Sequence, residues 1–334
     1  MPTTHLITGA TGLIGAALVL HLAEHTDDEF VCLVRPPVGR LPDMLRRSAE
    51  AYGTRPEVLD SALRRTRTLE ADLTARTLPP LRVPRPHVWH CAAALHFRRA
   101  HWRPVFHTNV RGTRRVLELA RRLDSPAFTY FSTAYVAGTT TGTIKETPAT
   151  PSTARTPYEL SKIAAERLLL NAPDIPVHIL RPSVVVGHSE TLAYPGTPSG
   201  AYTIQQLLAA HYRALPPPTT HPRIQALPLE PFNIVPIDHV VREAHELTIR
   251  AEPGGIHHLT NPTPPTTDAL LCALLANCRA PSPTYTHTPD PVLRMTLGVY
   301  APYLNNPQHF TRTHPGTPWL PDQETLRAMF RPFA

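Results

Sequence analysis

The chain has 334 residues, 42% of them hydrophobic, and a formal net charge of +7 from 33 lysines and arginines against 26 aspartates and glutamates. This length suffices for one large α/β unit with a smaller appended lobe. The 40 prolines lie between apolar periodic segments, which indicates stiffened loops and not disorder. Arginines dispersed without interleaved aromatics argue against nucleic-acid binding, and the modest positive balance suits a phosphate-bearing ligand or an acidic partner.

The sequence shows neither a signal peptide nor a membrane span, and we therefore expect a cytoplasmic protein with no membrane association. The apolar segment near the N-terminus lacks a basic region before it, as a signal peptide would need. No uninterrupted apolar run approaches the roughly 20 residues that span a bilayer. The cysteines contain no C-x-x-C pair and indicate no disulfide framework; they are Cys32, Cys91, Cys272 and Cys278.

A glycine-rich turn stands between a β-type run at 4–7 and an apolar helical run at 13–23. Strand, turn and helix in this order are typical of a dinucleotide-binding βαβ unit. Gly9 permits the tight bend, Gly12 lets the backbone approach a pyrophosphate, and Gly15 allows close packing of helix on strand. We expect the helix N-terminus to offer N–H groups to the phosphates. The other cofactor-binding residues predicted in this turn are Thr11, Leu13 and Ile14.

The second strand is predicted at 29–35 and ends at Arg35, with Arg40 nearby. In a βαβ site the residue at this position faces the adenosine ribose, where an acidic residue favours NAD and an arginine suits the 2′-phosphate of NADP. The alternative is an arginine that only faces solvent. We predict NADP(H) as the cofactor.

Two helices, around 42–52 and 56–65, are predicted before an apolar–acidic segment that ends at Asp72 and Leu73. These two residues fall where an adenine would lie. Asp72 either hydrogen-bonds the exocyclic amine or caps a helix. The next strand, 88–94, runs into small residues that leave room for a flat cofactor, namely Cys91, Ala92 and Ala93. The histidines around it match no metal-ligand spacing, so no metal site is predicted.

A long amphipathic helix is predicted at 106–123, with Asn109 near its start and in need of a polar partner once buried. The strand that follows, 127–133, ends in Ser132 and Thr133. Thr156 then N-caps a helix whose capping box is completed by Glu159.

Tyr158 and Lys162 are four residues apart and therefore share one face of that helix. A free phenol has a pKa of about 10, and a fixed ammonium lowers that pKa by stabilising the phenolate. The tyrosine then becomes a usable general acid. A hydroxyl such as that of Thr133 can polarise a carbonyl that is being reduced.

The last strands are predicted at 177–182, 233–236 and 255–260. From residue 189 onward, loops and proline clusters become frequent, including the cluster at 216–218. We predict a doubly wound parallel α/β sheet of the Rossmann type with a smaller C-terminal substrate-binding lobe. The nucleotide-binding domain would comprise residues 1–188 plus 230–260, and the lobe 189–229 plus 261–334.

These motifs resemble an extended short-chain dehydrogenase/reductase over roughly residues 4–260. The resemblance is carried by T-G-x-x-G-x-x-G at 8–15, N-V-x-G-T at 109–113 and Y-x-x-x-K at 158–162, and the separation of 25 between Thr133 and Tyr158 selects Thr133 over Ser132. It implies that Thr133 and Tyr158 are catalytic and that Lys162 binds the nicotinamide ribose. Asn109 would belong to the supporting hydrogen-bond network. The residues that would line the nicotinamide pocket are Pro182, Ser183, Val184 and Val185.

Within that superfamily the chain looks like the thioester-reductase and fatty-acyl-CoA-reductase branch. The insertion ahead of Asp72, the H-C-A-A run at 90–93 and the F-S-T-A-Y-V run at 131–136 carry this likeness. The chain lacks a carrier-protein domain and has a short C-terminal lobe for that branch. Alanine and tyrosine after Thr133, where sugar-nucleotide dehydratases carry acidic residues, argue against dehydration.

The leading hypothesis is an NADPH-dependent reductase of an acyl thioester, bound to CoA or to an acyl or peptidyl carrier protein, or of the derived aldehyde. Alternatives are a reductase of a free ketone or aldehyde, an NAD-dependent sugar-nucleotide epimerase, and a non-catalytic NADP sensor. The resemblance also implies a homodimer through the helices at 106–123 and 158–170.

Overall fold

The computed structural model describes residues 2–213, 220–249 and 254–334. The predicted proline cluster at 216–218 lies outside the described residues. The strands are β1 (Thr4–Thr8), β2 (Glu29–Val34), β3 (Thr66–Glu70), β4 (His87–His90), β5 (Phe128–Phe131), β6 (Gly142–Ile144), β7 (Val177–Pro182), β8 (Val184–Val186), β9 (Arg223–Ile224), β10 (Ile234–Pro236), β11 (Ile256–Leu259), β12 (Thr284–Tyr285) and β13 (Gln308–Phe310).

Seven strands form one parallel sheet in the order β3-β2-β1-β4-β5-β7-β11. β1 pairs with β2 on one side and with β4 on the other, so that Ile7 lies opposite both Cys32 and Trp89. The chain winds outward in both directions from β1, and the switch point therefore lies between β1 and β4. Ligands of open α/β sheets bind in the crevice at the carboxyl ends of the strands there. The predicted doubly wound α/β fold is confirmed.

Helices cover both faces of this sheet. The helices are α1 (Leu13–His25), α2 (Arg40–Tyr52), α3 (Pro56–Arg65), α4 (Trp102–Phe106), α5 (Thr113–Arg122), α6 (Pro157–Leu170), α7 (Ala201–Arg213), α8 (Ile237–Ile249), α9 (Thr267–Asn277), α10 (Pro291–Leu297) and α11 (Gln323–Phe330). Within the described residues, none of them is long and apolar enough to cross a bilayer.

Two hydrophobic layers follow from the alternation of side chains along β1. Ile7 packs into a core with α1, α2, α3 and α8, whereas Leu6 points to the opposite face and packs with α5 and α6. Both residues are fully buried. Because each face of the sheet is covered, β2 is a continuous buried apolar run after Glu29, as its sequence indicated.

A third hydrophobic core lies under the C-terminal part of the chain. α7, α9, α10 and α11 enclose it, with Tyr202, Leu274 and Phe330 among its fully buried members. β13 extends the contact to the sheet domain by pairing in parallel with β6, so that Gln308 lies opposite Gly142. The domain boundaries stated above remain a prediction.

The observed helix differs from the one predicted at 106–123 in where it begins and in the geometry of its middle turn. It begins at Trp102 and passes through a π-helical turn, His107–Gly112, before α5. The exposed residues of its first turn break the apolar periodicity, which hid the true start. The Thr113 hydroxyl donates to the Asn109 carbonyl at 2.6 Å, a local bond that accompanies the wider turn.

Candidate active site

A cavity of about 610 Å³ lies at the switch point of the sheet. With the exception of Asn109, every predicted site residue lines it: Gly9, Thr11, Gly12, Leu13, Ile14, Gly15, Arg35, Arg40, Asp72, Leu73, Cys91, Ala92, Ala93, Thr133, Tyr158, Lys162, Pro182, Ser183, Val184 and Val185.

The glycine turn is held by close backbone contacts. Gly9 has φ +73°, and a Cβ there would lie 2.5 Å from the Ala92 nitrogen. A Cβ on Gly15 would lie 2.4 Å from the Gly9 carbonyl oxygen. Both distances are far below van der Waals contact, so only glycine allows β1, α1 and the segment after β4 to approach this closely. The turn therefore fits the packing role that the sequence assigned to it.

The N-terminus of α1 opens onto the cavity. Gly12 is its N-cap and provides no side chain to cap the first turn, while Leu13 and Ile14 line the cavity. The N–H groups of a first helical turn lack intrahelical acceptors, and the helix dipole adds positive potential there. The geometry fits a pyrophosphate at this point.

Three arginines line the end of the cavity beyond β2. Arg35 follows β2, and Arg40 and Arg47 lie on α2, seven residues apart and thus on one helix face. Arg47 was not predicted, although its spacing from Arg40 is a signal that could have identified it. This end of the cavity can hold a phosphate through charge-assisted hydrogen bonds.

Asp72 also lines this end, but the suggestion that it caps a helix is wrong. Its carboxylate accepts hydrogen bonds from the Thr74 backbone at 2.8 Å and the Thr74 hydroxyl at 2.7 Å. Turns and not a helix follow Asp72, because its side chain forms an Asx turn with the backbone nitrogen two residues later. These bonds to Thr74 lower the pKa of Asp72 and keep it ionised.

Asn109 has the buried polar partners that were expected of it. Its side-chain oxygen Oδ1 accepts a hydrogen bond from the Ala94 nitrogen at 2.7 Å. Its side-chain nitrogen Nδ2 donates to the Ala94 carbonyl at 3.1 Å and to the Ser161 hydroxyl at 2.9 Å. It thus ties the segment after β4 to α6. Asn109 does not line the cavity, and its bonds hold a segment that does, in keeping with the supporting hydrogen-bond network that the resemblance implies.

The start of α6 matches the predicted cap. The Thr156 hydroxyl accepts from the Glu159 nitrogen at 3.2 Å, and the Glu159 carboxylate accepts from the Arg155 nitrogen at 2.5 Å. The reciprocal bond therefore reaches one residue further back than in the usual capping box. This cap fixes the first turn of the helix, which carries Tyr158.

Lys162 points from the next turn of α6 to the end of β5. Its ammonium donates to the Phe131 carbonyl at 2.7 Å and lies 4.6 Å from the centroid of the Tyr130 ring. The side chain is 2% exposed. Burial lowers the pKa of Lys162 to about 7, while nearby Glu166 and Cys91 oppose this shift.

The expectation that Lys162 lowers the pKa of Tyr158 is wrong for the protein by itself. Burial, reinforced by the carboxylate of Glu159, raises the pKa of Tyr158 well above 10, and the Thr133 hydroxyl offsets only part of the rise. The Lys162 ammonium lies 5.9 Å from the centroid of the Tyr158 ring and is engaged by Phe131. The phenol is therefore held in its protonated form, the state needed to donate a proton.

Ser132 and Thr133 have different surroundings, in keeping with the selection of Thr133. Ser132 donates to Glu166 at 2.6 Å, and Glu166 forms a buried ion pair with Arg181 at 2.6 Å. The Thr133 hydroxyl accepts a 3.3 Å bond from the Tyr135 nitrogen and interacts with the Tyr158 phenol at the cavity. Both residues line the cavity, but the Ser132 hydroxyl is engaged by Glu166, whereas the Thr133 hydroxyl lies beside the Tyr158 phenol.

Aromatic side chains from distant segments form the remaining wall, and sequence reasoning missed them. The Phe97 ring lies 5.5 Å from that of Tyr158 and 5.6 Å from that of Tyr300, both edge-on. The aromatic residues of this wall are Phe97, Tyr135, Tyr194, Phe232, Tyr300 and Tyr303. They come from five separate segments, so no local spacing reveals them.

The described residues contain no group of three or more metal-ligating side chains. His90, adjacent to the cavity, is fully buried between two threonines: it contacts the Thr8 hydroxyl at 2.6 Å and the Thr113 hydroxyl at 2.9 Å. Burial lowers its pKa to about 3, so it is neutral. All four cysteines are free thiols.

Solved structures of similar fold include reductases and epimerases. The terminal R domain from the myxalamid PKS-NRPS biosynthetic pathway has a TM-score of 0.75 at 24% identity, covering 98% of this chain and 89% of that one. A thiolation-reductase di-domain from an archaeal non-ribosomal peptide synthetase has a TM-score of 0.73 at 17% identity, with coverages of 99% and 75%. UDP-glucuronic acid 4-epimerase from Bacillus cereus, in complex with NAD, has a TM-score of 0.67 at 16% identity, with coverages of 99% and 98%.

Likeness at these identities shows a shared fold, and a search of curated proteins gave no match. The family is shown by a sequence model described as Male sterility protein, which matches residues 7–244. That range contains the glycine turn, Thr133, Tyr158 and Lys162. The chain therefore belongs to the Male sterility protein family of NAD(P)-dependent oxidoreductases, in the thioester-reductase-like branch of the extended short-chain dehydrogenase/reductases that its motifs predicted.

Proposed function

We propose that this oxidoreductase uses NADPH to reduce the carbonyl carbon of an apolar acyl thioester or of the derived aldehyde. The observation that carries the proposal is the division of the cavity. Its charged lining residues are Arg35, Arg40, Arg47, Asp72 and Lys162, so its phosphate-binding features lie at the nucleotide end and the aromatic wall faces the substrate end.

The choice of NADP over NAD rests on the three arginines. A 2′-phosphate is a dianion near neutral pH, and guanidinium groups bind phosphate oxygens in pairs. Arg35 occupies the position after β2 where an acidic residue would accept bonds from ribose hydroxyls. The Asp72 carboxylate accepts hydrogen bonds from Thr74 and is not the acceptor for the ribose hydroxyls.

When bound, the cofactor supplies the hydride for the substrate carbon. The Thr133 hydroxyl donates a hydrogen bond to the carbonyl oxygen and Tyr158 transfers a proton to it, because burial keeps the phenol protonated until negative charge develops on that oxygen. Lys162 would bind the nicotinamide ribose and stabilise the phenolate that remains. With a thioester, one hydride and one proton give a hemithioacetal, which releases a thiol and an aldehyde; a second hydride and proton give an alcohol.

The substrate end favours an apolar acyl group. Its side chains include Leu95, Phe97, Phe232 and Tyr300, and none of the lining residues there carries a charge. Burial of an apolar group against such a surface contributes roughly 25 cal/mol for each Å² removed from water. The diphosphate of a sugar nucleotide would need cationic partners on this side, and the described lining provides none. This favours the thioester or aldehyde over the epimerase hypothesis.

We also propose that residues 1–188 plus 230–260 bind the nucleotide and that 189–229 plus 261–334 form the substrate lobe. The separate hydrophobic core enclosed by α7, α9, α10 and α11 supports this division.

The test is a comparison of substrates with product identification. Purified protein is given NADPH or NADH with octanoyl thioesters, octanal, 2-octanone or a uridine diphosphate sugar. We expect NADPH oxidation with the thioester and with octanal, and octanal or octanol as the products. Isomerisation of the uridine diphosphate sugar with no oxidation of NADPH by any carbonyl compound would contradict the proposal.

A further inference from the structure

The positive charge of the chain is concentrated in one stretch, which corrects the interpretation of the arginines as dispersed. Residues 73–117 contain nine arginines and no lysine, aspartate or glutamate. The rest of the chain carries 24 lysines and arginines against 26 acidic residues. The net charge of +7 therefore comes entirely from this stretch.

Part of the stretch forms an exposed surface with apolar residues among the arginines. Trp102 is 52% exposed and Leu95 is 50% exposed. The exposed arginines of this surface form no ion pair with any residue that the structure describes. We call it the cationic surface and define it as Leu95, Arg98, Arg99, Trp102, Arg103 and Arg111.

The cationic surface is continuous with the substrate end of the cavity. Leu95 lines the cavity, as do Phe97 and Thr108. A groove of about 390 Å³ crosses the surface and is lined by Trp102, Arg103, Pro104, Phe106, His107 and Arg111. Phe97 is followed directly by Arg98, and His107 of the groove is followed directly by Thr108 of the cavity. A molecule seated on the surface thus lies next to the point where an acyl group would enter.

We propose that the cationic surface docks an acidic carrier protein that presents the acyl thioester on a phosphopantetheine arm. The inference rests on the proposed reduction of thioesters. Unpaired arginines attract an acidic partner and speed its encounter. Exposed tryptophan and arginine are the residues most enriched where proteins bind one another, which favours a protein over a nucleic acid as the partner. The groove beside the cavity offers a path for the arm and arginines for its phosphate.

The experiment compares one acyl group on two carriers. Octanoyl–acyl carrier protein of type II fatty-acid synthesis and octanoyl-N-acetylcysteamine, which has neither protein nor phosphate, are reduced by the full chain with NADPH. The test variant is Arg98→Glu/Arg103→Glu. The matched control is Arg64→Glu/Arg294→Glu, which changes the charge equally at exposed positions on α3 and α10.

We expect the test variant to raise KM for the carrier-bound substrate at least tenfold at low salt, with kcat within twofold. KM for the small thioester should stay within twofold in both variants, and the control should match the wild type on both substrates. The KM of the wild type for the carrier-bound substrate should also rise with salt, since exposed charges are screened. Equal losses on both substrates, or an unchanged KM for the carrier, would overturn the docking proposal.

Three further measurements separate the alternatives. If the wild type reduces octanal but neither thioester, the thioester part of the proposed function fails and the aldehyde part stands. Salt-dependent binding of the carrier to wild type, lost in the test variant, would then still support docking, and its absence would overturn the docking proposal. A dimer in sedimentation that dissociates in the test variant would assign the surface to a second copy and overturn the proposal. Binding of polyuridylate with higher affinity than the carrier protein would overturn it as well.

Discussion

Lys162 is a buried cation whose pKa the fold lowers far below its value in water. A buried ammonium with a pKa of about 7 loses its proton within the physiological range, and the Phe131 carbonyl accepts a hydrogen bond from it at 2.7 Å. The spacing of Tyr158 and Lys162 could be predicted because it is local to one helix. The opposing pKa shifts could not, since they depend on how deeply the fold buries each group.

This burial predicts a pH-dependent stability. An unfolded lysine keeps its proton to about pH 10.4, whereas folded Lys162 loses it near pH 7, so unfolding takes up a proton between these values. The free energy of unfolding should therefore rise with pH in this window, by up to about 1.4 kcal/mol for each pH unit. Urea unfolding without cofactor at pH 7 and pH 9 measures the gain. Lys162→Met should lack it, and an equal pH dependence in both proteins would refute the assignment.

Arg35 is the residue on which the choice of cofactor depends. Arg35→Ala should lower kcat/KM for NADPH roughly 10- to 100-fold, because a hydrogen bond to a charged group contributes about 1.5–3 kcal/mol. The kcat/KM for NADH should change little. Arg64 is an exposed arginine on α3, and Arg64→Ala should change kcat/KM for neither nucleotide. Steady-state kinetics with both nucleotides provide the measurement. Equal losses for NADPH and NADH would show that Arg35 does not contact the 2′-phosphate.

At the scale of elements, the strand–turn–helix unit and α6 were predictable because each is specified by nearby residues. Thr156 and Glu159 mark the start of α6, and the glycines mark the turn after β1. The π-helical turn His107–Gly112 was not predictable, since its sequence has the same apolar spacing as an ordinary helix. β4 ends earlier than predicted, at His90, because the small residues that follow it close the turn around Gly9.

The packing of α1 on β1 gives a prediction for Gly15. Gly15→Ala would place a methyl group 2.4 Å from the Gly9 carbonyl oxygen, so backbone must shift. We expect a loss of about 1–3 kcal/mol in the free energy of unfolding and weaker binding of NADPH. Gly39→Ala is the control, because nothing lies within 4 Å of its added Cβ. Urea unfolding and nucleotide titration would show the difference; equal stabilities would contradict the tight packing.

At the scale of the whole molecule, the C-terminal segment completes the site. The Tyr303 hydroxyl donates to Glu159 at 2.5 Å, so the segment is attached to the first turn of the helix that carries Tyr158. The Arg155 guanidinium lies over the Tyr303 ring at 4.4 Å. Sequence reasoning assigned this segment to the substrate lobe but found no motif in it, because its contribution consists of single aromatic residues that meet α6 only in the folded chain.

Tyr303→Phe tests this attachment. The substitution leaves the buried Glu159 carboxylate with one donor fewer, which should cost about 1–3 kcal/mol in the free energy of unfolding. Tyr212→Phe is the control, since the structure shows no hydrogen-bond partner for its hydroxyl among the described residues. Urea unfolding of the two variants compares them. A stability loss no larger than that of the control would mean that the bond adds nothing to the fold.

The proposed reaction depends on the transfer of a proton from Tyr158 to a carbonyl that is reduced by hydride from NADPH. The most direct measurement is a single-turnover reaction of the Tyr158→Phe variant with NADPH and octanoyl thioester, together with a titration of NADPH binding. We predict that binding stays within about twofold, because the phenol is not among the groups proposed to hold the nucleotide, and that the rate of hydride transfer falls at least 100-fold. A variant that oxidises NADPH at the wild-type rate would contradict this role of Tyr158.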